Sequence, residues 1–156
     1  MNLLVHASAG ALIGQYTGNP YLAFFSGVMS HIILDIIPHG DSQLYKKYKS
    51  GELSTKKAMA LTILDSIATI VFVLIFFSLE IHKSTIVTAM AIIGSVIPDV
   101  LMGFYELLSP KAPKWLETAH KWHFINHDYF AIKHDLSFKK GLLLQLIVFL
   151  VLIKIL

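Results

Sequence analysis

The stretch YLAFFSGVMSHIILDIIPHGD, residues 21–41, reads as an apolar helix that carries its ionisable groups at one end. Between Tyr21 and Ile37 its polar side chains are Ser26, Ser30, His31 and Asp35. Helical spacing puts His31 and Asp35 one turn apart on one face, and Pro38 then stops or kinks the helix, leaving His39 and Asp41 on a turning backbone. An ionisable residue at the centre of a membrane helix costs about 2.5–3.5 kcal/mol on insertion scales, so a segment that keeps several of them implies a use for them. Imidazole and carboxylate are donors that a divalent metal accepts.

The rest of the chain extends this apolar character. Hydrophobic residues make up 55% of the 156 residues and charged ones 15%, and the mean hydropathy of +0.65 sets the chain apart from ordinary soluble domains. Further apolar runs occupy Ala58 to Leu79, Thr85 to Leu108 and Leu142 to Leu156, with a shorter one from Leu3 to Tyr16. A bilayer takes about 20 helical residues per crossing. The expectation is therefore an all-α, multi-pass transmembrane bundle, residues 1–156 forming a single integral-membrane domain of about five membrane helices plus an interfacial His-rich helix. The competing reading is a soluble helical protein, but a chain this short offers little polar surface to cover so many all-round apolar helices. Cysteine is absent, which excludes disulfides and thiolate ligands. No Lys or Arg precedes Lys46, so the basic region of a secretory signal is missing.

All thirteen basic residues are lysines, and their placement predicts orientation. Lys46, Lys47, Lys49, Lys56 and Lys57 fall between the second and third apolar runs; Lys111, Lys114, Lys121, Lys133, Lys139 and Lys140 fall between the fourth and the last. The positive-inside rule turns both segments to the cytoplasm, with the N-terminus inside and the C-terminus outside. The net charge of +3 then reads as topology and attraction to anionic membrane lipid. No nucleic-acid motif accompanies it, and no nucleic-acid partner is expected. The oligomeric state is left open.

In that topology the unusual polar residues gather at one face. His6 lies near the start of the first helix, His31, Asp35, His39 and Asp41 at the end of the second, Asp65 two turns into the third, and Asp99 after Pro98 in the fourth. His120, His123 and His127 follow at spacings i, i+3 and i+7, one face of a helix. The candidate metal ligands are His6, His31, Asp35, His39, Asp99, His120, His123 and His127; Asp41 or Asp65 would orient a ligand or act as general base. The metal expected on this donor set is Zn²⁺, with Mn²⁺ or Fe²⁺ as alternatives.

Each residue also has a structural alternative. His31 with Asp35 is one way to lock two helices together, Asp65 could make a packing contact to backbone, and Asp99 could cap freed N–H groups. The segment around His120, with Trp115, Trp122 and Phe124 among lysines, also fits a helix lying in the headgroup region. Gly10, Gly14 and Gly18, four apart, predict close helix contact.

The blocks Ser30-His31 to Leu34-Asp35, Pro38-His39 and Gly94-Ser95-Val96-Ile97-Pro98-Asp99, with an early His and a late His cluster, resemble the small multi-pass proteins described as membrane-bound metal-dependent hydrolases. The His-x-x-x-Asp spacing followed by Pro and His is also similar to part of the pattern of zinc-dependent phospholipase C and S1/P1-type nucleases. Where the first family shows His-Arg and then Thr-His-Ser, this chain reads His120-Lys121 followed by His123 and His127. The resemblance implies a membrane-embedded hydrolase that uses metal-activated water on a phosphoester or lipid-linked substrate at the cytoplasmic face. The alternative is a non-enzymatic membrane protein, a divalent-cation carrier or a metal-stabilised scaffold. A carrier should spread its ligands through the bilayer midplane.

Overall fold

The computed structural model describes residues 1–131 and 136–156, without the side chains of residues 42 and 126–131. The side chain of His127, a predicted ligand, lies outside the described residues. Among the described residues every regular element is a helix: α1 (Leu3–Tyr16), α2 (Pro20–Ile36), α3 (Asp41–Lys49), α4 (Thr55–Ser78), α5 (Thr85–Leu108), α6 (Lys114–Ala131) and α7 (Phe138–Ile155).

Local chemistry sets several of these boundaries. The Asn19 side chain accepts from the N–H groups of Tyr21 and Leu22, and Pro20 supplies the preset φ of a first helical residue. At the other end Pro38 forces the preceding Ile37 into extended geometry, φ −71° and ψ 127°, and α2 stops. The Ser54 side chain accepts from Lys57 N–H to open α4. The lysine-rich connection that follows α2 is itself partly helical. Gly40, at φ 89°, turns the chain into α3, whose Asp41 sits at the positive end of the helix dipole and whose Lys46, Lys47 and Lys49 sit at the negative end.

The core lies where α1 and α2 pack on α5. A Cβ on Gly94 would stand 2.1 Å from the carbonyl oxygen of Phe24, and one on Gly10 would stand 2.7 Å from Cα of Ile92, so both contacts require glycine. Gly14 makes a similar contact with Thr88, whereas Gly18 lies beyond α1 with open space around it. Pro98 is accommodated inside α5, and Asp99 therefore sits within a helix rather than capping one.

Among the described residues two helices, α4 and α5, are long and apolar enough to cross a membrane, each with 24 residues. The other expected spans fall short of that description. α1 has 14 residues, a rise of about 21 Å; α2 has 17; and α7, with 18, carries Lys139, Lys140 and Lys154.

Candidate metal centre

His31 and Asp35 are both buried on the inner face of α2, and the imidazole Nε2 of His31 lies 3.0 Å from Oδ2 of Asp35. The opposite ring nitrogen, Nδ1, is 2.9 Å from the carbonyl oxygen of Ser95 on α5. With Nδ1–H donating to that carbonyl, the lone pair of a neutral ring sits on Nε2 and faces the carboxylate.

Three other helices bring side chains to the same point. His6 of α1 is fully buried and its ring stacks on that of His31, centroids 4.0 Å apart. Its Nε2 lies 3.2 Å from Oδ1 of Asp35 and 3.8 Å from Oδ2 of Asp99. Asp99 projects from α5, with Oδ1 3.7 Å from His31 Nε2 and 3.8 Å from the Nε2 of His123, which α6 supplies. One ligand atom from each of His31, Asp35, Asp99 and His123 lies within 4.8 Å of the others.

The donor set fits a divalent cation. Two imidazoles and two carboxylates supply the nitrogen and oxygen ligands such an ion takes, with His6 at the edge of the group. Both ring nitrogens of His6 and Nε2 of His31 are buried in positions where they meet no hydrogen-bonding geometry, although carboxylate oxygens are close. Buried polar atoms are ordinarily hydrogen-bonded, and the Nε2 atoms of His6 and His31 both lie beside the carboxylate of Asp35, at 3.2 and 3.0 Å.

His39 and Asp41 stand beside this group. His39 Nδ1 lies 2.6 Å from the carbonyl oxygen of Ile37, one of the carbonyls left over where α2 ends. Its Nε2 then faces Asp41 Oδ2 at 3.4 Å. The α-amino group of Met1 enters between them: it donates to Asp35, lies 2.9 Å from His39 Nε2 and is 3.7 Å from Asp41 Oδ2. Asp35, His39 and Asp41 thus gather around a positive charge.

The remaining predicted residues are elsewhere. Asp65 of α4 accepts from the backbone N–H groups of Leu3 and Leu4 at 2.8 and 3.4 Å, donors that the first turn of α1 leaves over. His120 stacks on Tyr105, centroids 3.8 Å apart, with Nε2 3.7 Å from Glu106 Oε1. Glu106 also accepts from the Tyr45 hydroxyl and from Lys49 Nζ, each at 3.0 Å, and so ties α3, α5 and α6 together. Burial first, then the hydrogen bond to Glu106, pushes the Tyr45 hydroxyl up to about 12. Burial holds the His120 imidazole below its ordinary value.

Glu106 and Gln145 were not singled out by the sequence. Gln145 is buried on α7, accepts from Asn2 N–H at 2.6 Å and donates to the carbonyl oxygen of His39 at 3.0 Å. Its signal is an amide inside the apolar run from Leu142 to Leu156.

Comparison of the chain with protein-family models, with curated proteins and with solved structures yields no match.

Proposed function

We propose that this chain is a multi-pass membrane protein whose His/Asp group holds a divalent metal and hydrolyses a phosphoester of a lipid or lipid-linked substrate. The observation that carries the metal is the convergence of His31, Asp35, Asp99 and His123, from three helices, with His6 beside them. A membrane setting is supported by α4, whose Ile63, Leu64, Ile67, Ile70, Val71 and Leu74 are all exposed. An apolar surface of that extent on a folded chain calls for lipid or a partner to cover it. The resemblance to membrane-bound metal-dependent hydrolases rests on the same His and Asp positions.

In this reading α1, α2, α4, α5 and α7 are the membrane helices, with α3 and α6 at the cytoplasmic surface beside the lysine-rich connections, the N-terminus inside and the C-terminus outside. Trp115 and Trp122 are exposed on α6, as side chains seated among headgroups would be. Zn²⁺, with Mn²⁺ or Fe²⁺ as alternatives, would be held by His31, Asp35, Asp99 and His123, with His6 completing the set. Such an ion supplies a Lewis acid for a phosphoryl oxygen and brings the pKa of water toward neutrality. Asp41 and His39 lie where they can accept or return a proton next to that set, at 3.4 Å from each other. Asp65, bonded to the start of α1, positions His6 three residues further on.

Elemental analysis of the detergent-purified protein, beside the His31→Ala, Asp35→Ala double variant, tests the reading. Stoichiometric Zn, Mn or Fe in the parent and its loss in the variant are expected, followed by phosphoesterase turnover that needs the same metal. Metal without turnover would favour a carrier or scaffold. No metal after reloading would overturn the centre.

A further inference from the structure

Beside the start of α1, α7 presents a groove of about 490 Å³ whose walls include Val5, Leu142, Leu146 and Phe149. Leu142, Leu146 and Phe149 follow one another at i, i+4 and i+7, so the stripe runs along the helix for about 10 Å. The groove is polar only at Asn2, Gln145 and Lys139. Its volume falls in the range of about 300–1,000 Å³ that small-molecule sites occupy.

The polar part of the groove adjoins the candidate centre. Gln145 lines the groove, is buried, and is hydrogen-bonded both to Asn2 and to the carbonyl of His39. A Cβ on Gly141 would stand 2.0 Å from that same carbonyl oxygen, so the first turns of α7 lie directly on the His39 turn. Lys139, in the opening turn of α7, adds a positive charge on that side. Ile147 and Leu150 of the same helix, outside the groove, are also exposed.

We infer that this groove receives one acyl chain of an anionic phospholipid and sets its phosphate at Lys139, next to the His39–Asp41 turn. The inference rests on the metal-hydrolase reading and names where that enzyme's lipid substrate lies. An apolar channel open along a bilayer-facing helix suits a hydrocarbon chain, and the lysine at its polar end pairs more strongly with a headgroup of net negative charge than with a zwitterionic one. The geometry also explains why α7, the helix remote from His31 and Asp99 in sequence, carries a buried glutamine and a glycine that fix it to the turn after α2.

The test uses the full chain in phosphatidylcholine nanodiscs containing a small fraction of phosphatidic acid with a diazirine at the end of one acyl chain. After photolysis the labelled peptides are mapped by mass spectrometry, and bound metal is measured on the same preparation. Label should concentrate severalfold on Leu142, Leu146, Phe149 and the Leu4–Val5 pair over the exposed face of α4. Unlabelled phosphatidic acid should compete, and phosphatidylcholine should not. Lys139→Gln and Leu146→Trp should each lower groove labelling with metal content unchanged. Ile147→Trp, an equal bulk outside the groove, should not lower it. Labelling spread evenly over α4 and α7 and indifferent to Lys139→Gln would overturn the inference while leaving the metal centre standing. Groove labelling in a protein that holds no metal would support the groove and overturn the hydrolase reading.

Discussion

Nε2 of His31 faces Oδ2 of Asp35 across 3.0 Å while Nδ1 of the same ring is 2.9 Å from the carbonyl oxygen of Ser95. A backbone carbonyl on Nδ1 fixes the orientation of the ring, as partners of metal-bound histidines do, and turns Nε2 toward the carboxylate. Asp99, which is only three-quarters buried, can be altered with less disturbance of packing than either of that pair. Asp99→Asn keeps the shape and removes the charge. Metal affinity, measured by competition with a chelator, is expected to fall at least about tenfold with the unfolding temperature in detergent nearly unchanged. Unchanged affinity would remove Asp99 from the ligand set.

Tyr45, Lys49 and His120 converge on Glu106, and the arrangement has a definite pH signature. The Tyr45 hydroxyl is raised to about 12 by burial and by its bond to Glu106. A group whose pKa is raised on folding is stabilising below its unfolded value, and that contribution is lost as the pH rises through the folded one. The hold of α3 on α5 should therefore weaken between pH 10, the ordinary value, and about 12. Difference absorbance titration against Tyr45→Phe isolates this hydroxyl among the six tyrosines. Glu106→Gln should bring its midpoint down toward the ordinary phenol value.

Much of the helical framework is legible in the apolar runs. Thr85 to Leu108 and Leu3 to Tyr16 coincide with α5 and α1, and Tyr21 to Ile37 differs from α2 by one residue at each end. α7 begins four residues before its apolar run because Lys139 and Lys140 are good helix formers that hydropathy excludes. Of the candidate site, the types of residue were legible and their grouping only in part. His120 and His123 share a face of α6, yet they meet different residues of α5. His123 reaches Asp99, and His120 reaches Glu106, seven residues further along. Spacing within one helix gives a common direction; the partner is set by the antiparallel run of the neighbouring helix, which a single segment does not encode. Glu106 becomes legible only with Tyr45, Lys49 and His120 placed around it, since an acid near a helix end otherwise reads as solvated.

Orientation in the membrane can be tested through the absence of cysteine. Lys47 lies in α3, which the proposed topology puts at the cytoplasmic surface. Lys47→Cys should be shielded from an impermeant thiol reagent in intact cells and labelled once the membrane is opened. Lys83→Cys, in the connection between α4 and α5, should show the opposite pattern. Labelling of Lys47→Cys from outside would invert the assignment.

Gln145 couples α7 to the centre through two hydrogen bonds, one to Asn2 N–H and one to the carbonyl of His39. Leucine in its place keeps comparable bulk and satisfies neither, and each buried backbone group left unpaired costs about 1–3 kcal/mol. The cost falls on two segments that meet at the Met1 amino group, which donates to Asp35 and lies 2.9 Å from Nε2 of His39. Gln145→Leu should therefore lower the unfolding temperature and weaken metal binding together. Gln145→Glu, with one oxygen still able to accept from Asn2, should recover part of the first effect, while its charge opposes the His39 carbonyl and leaves the second. Stability and chelator competition measured on both variants separate the two roles. If Gln145→Leu lost stability alone, α7 would be a packing element with no part in holding the centre.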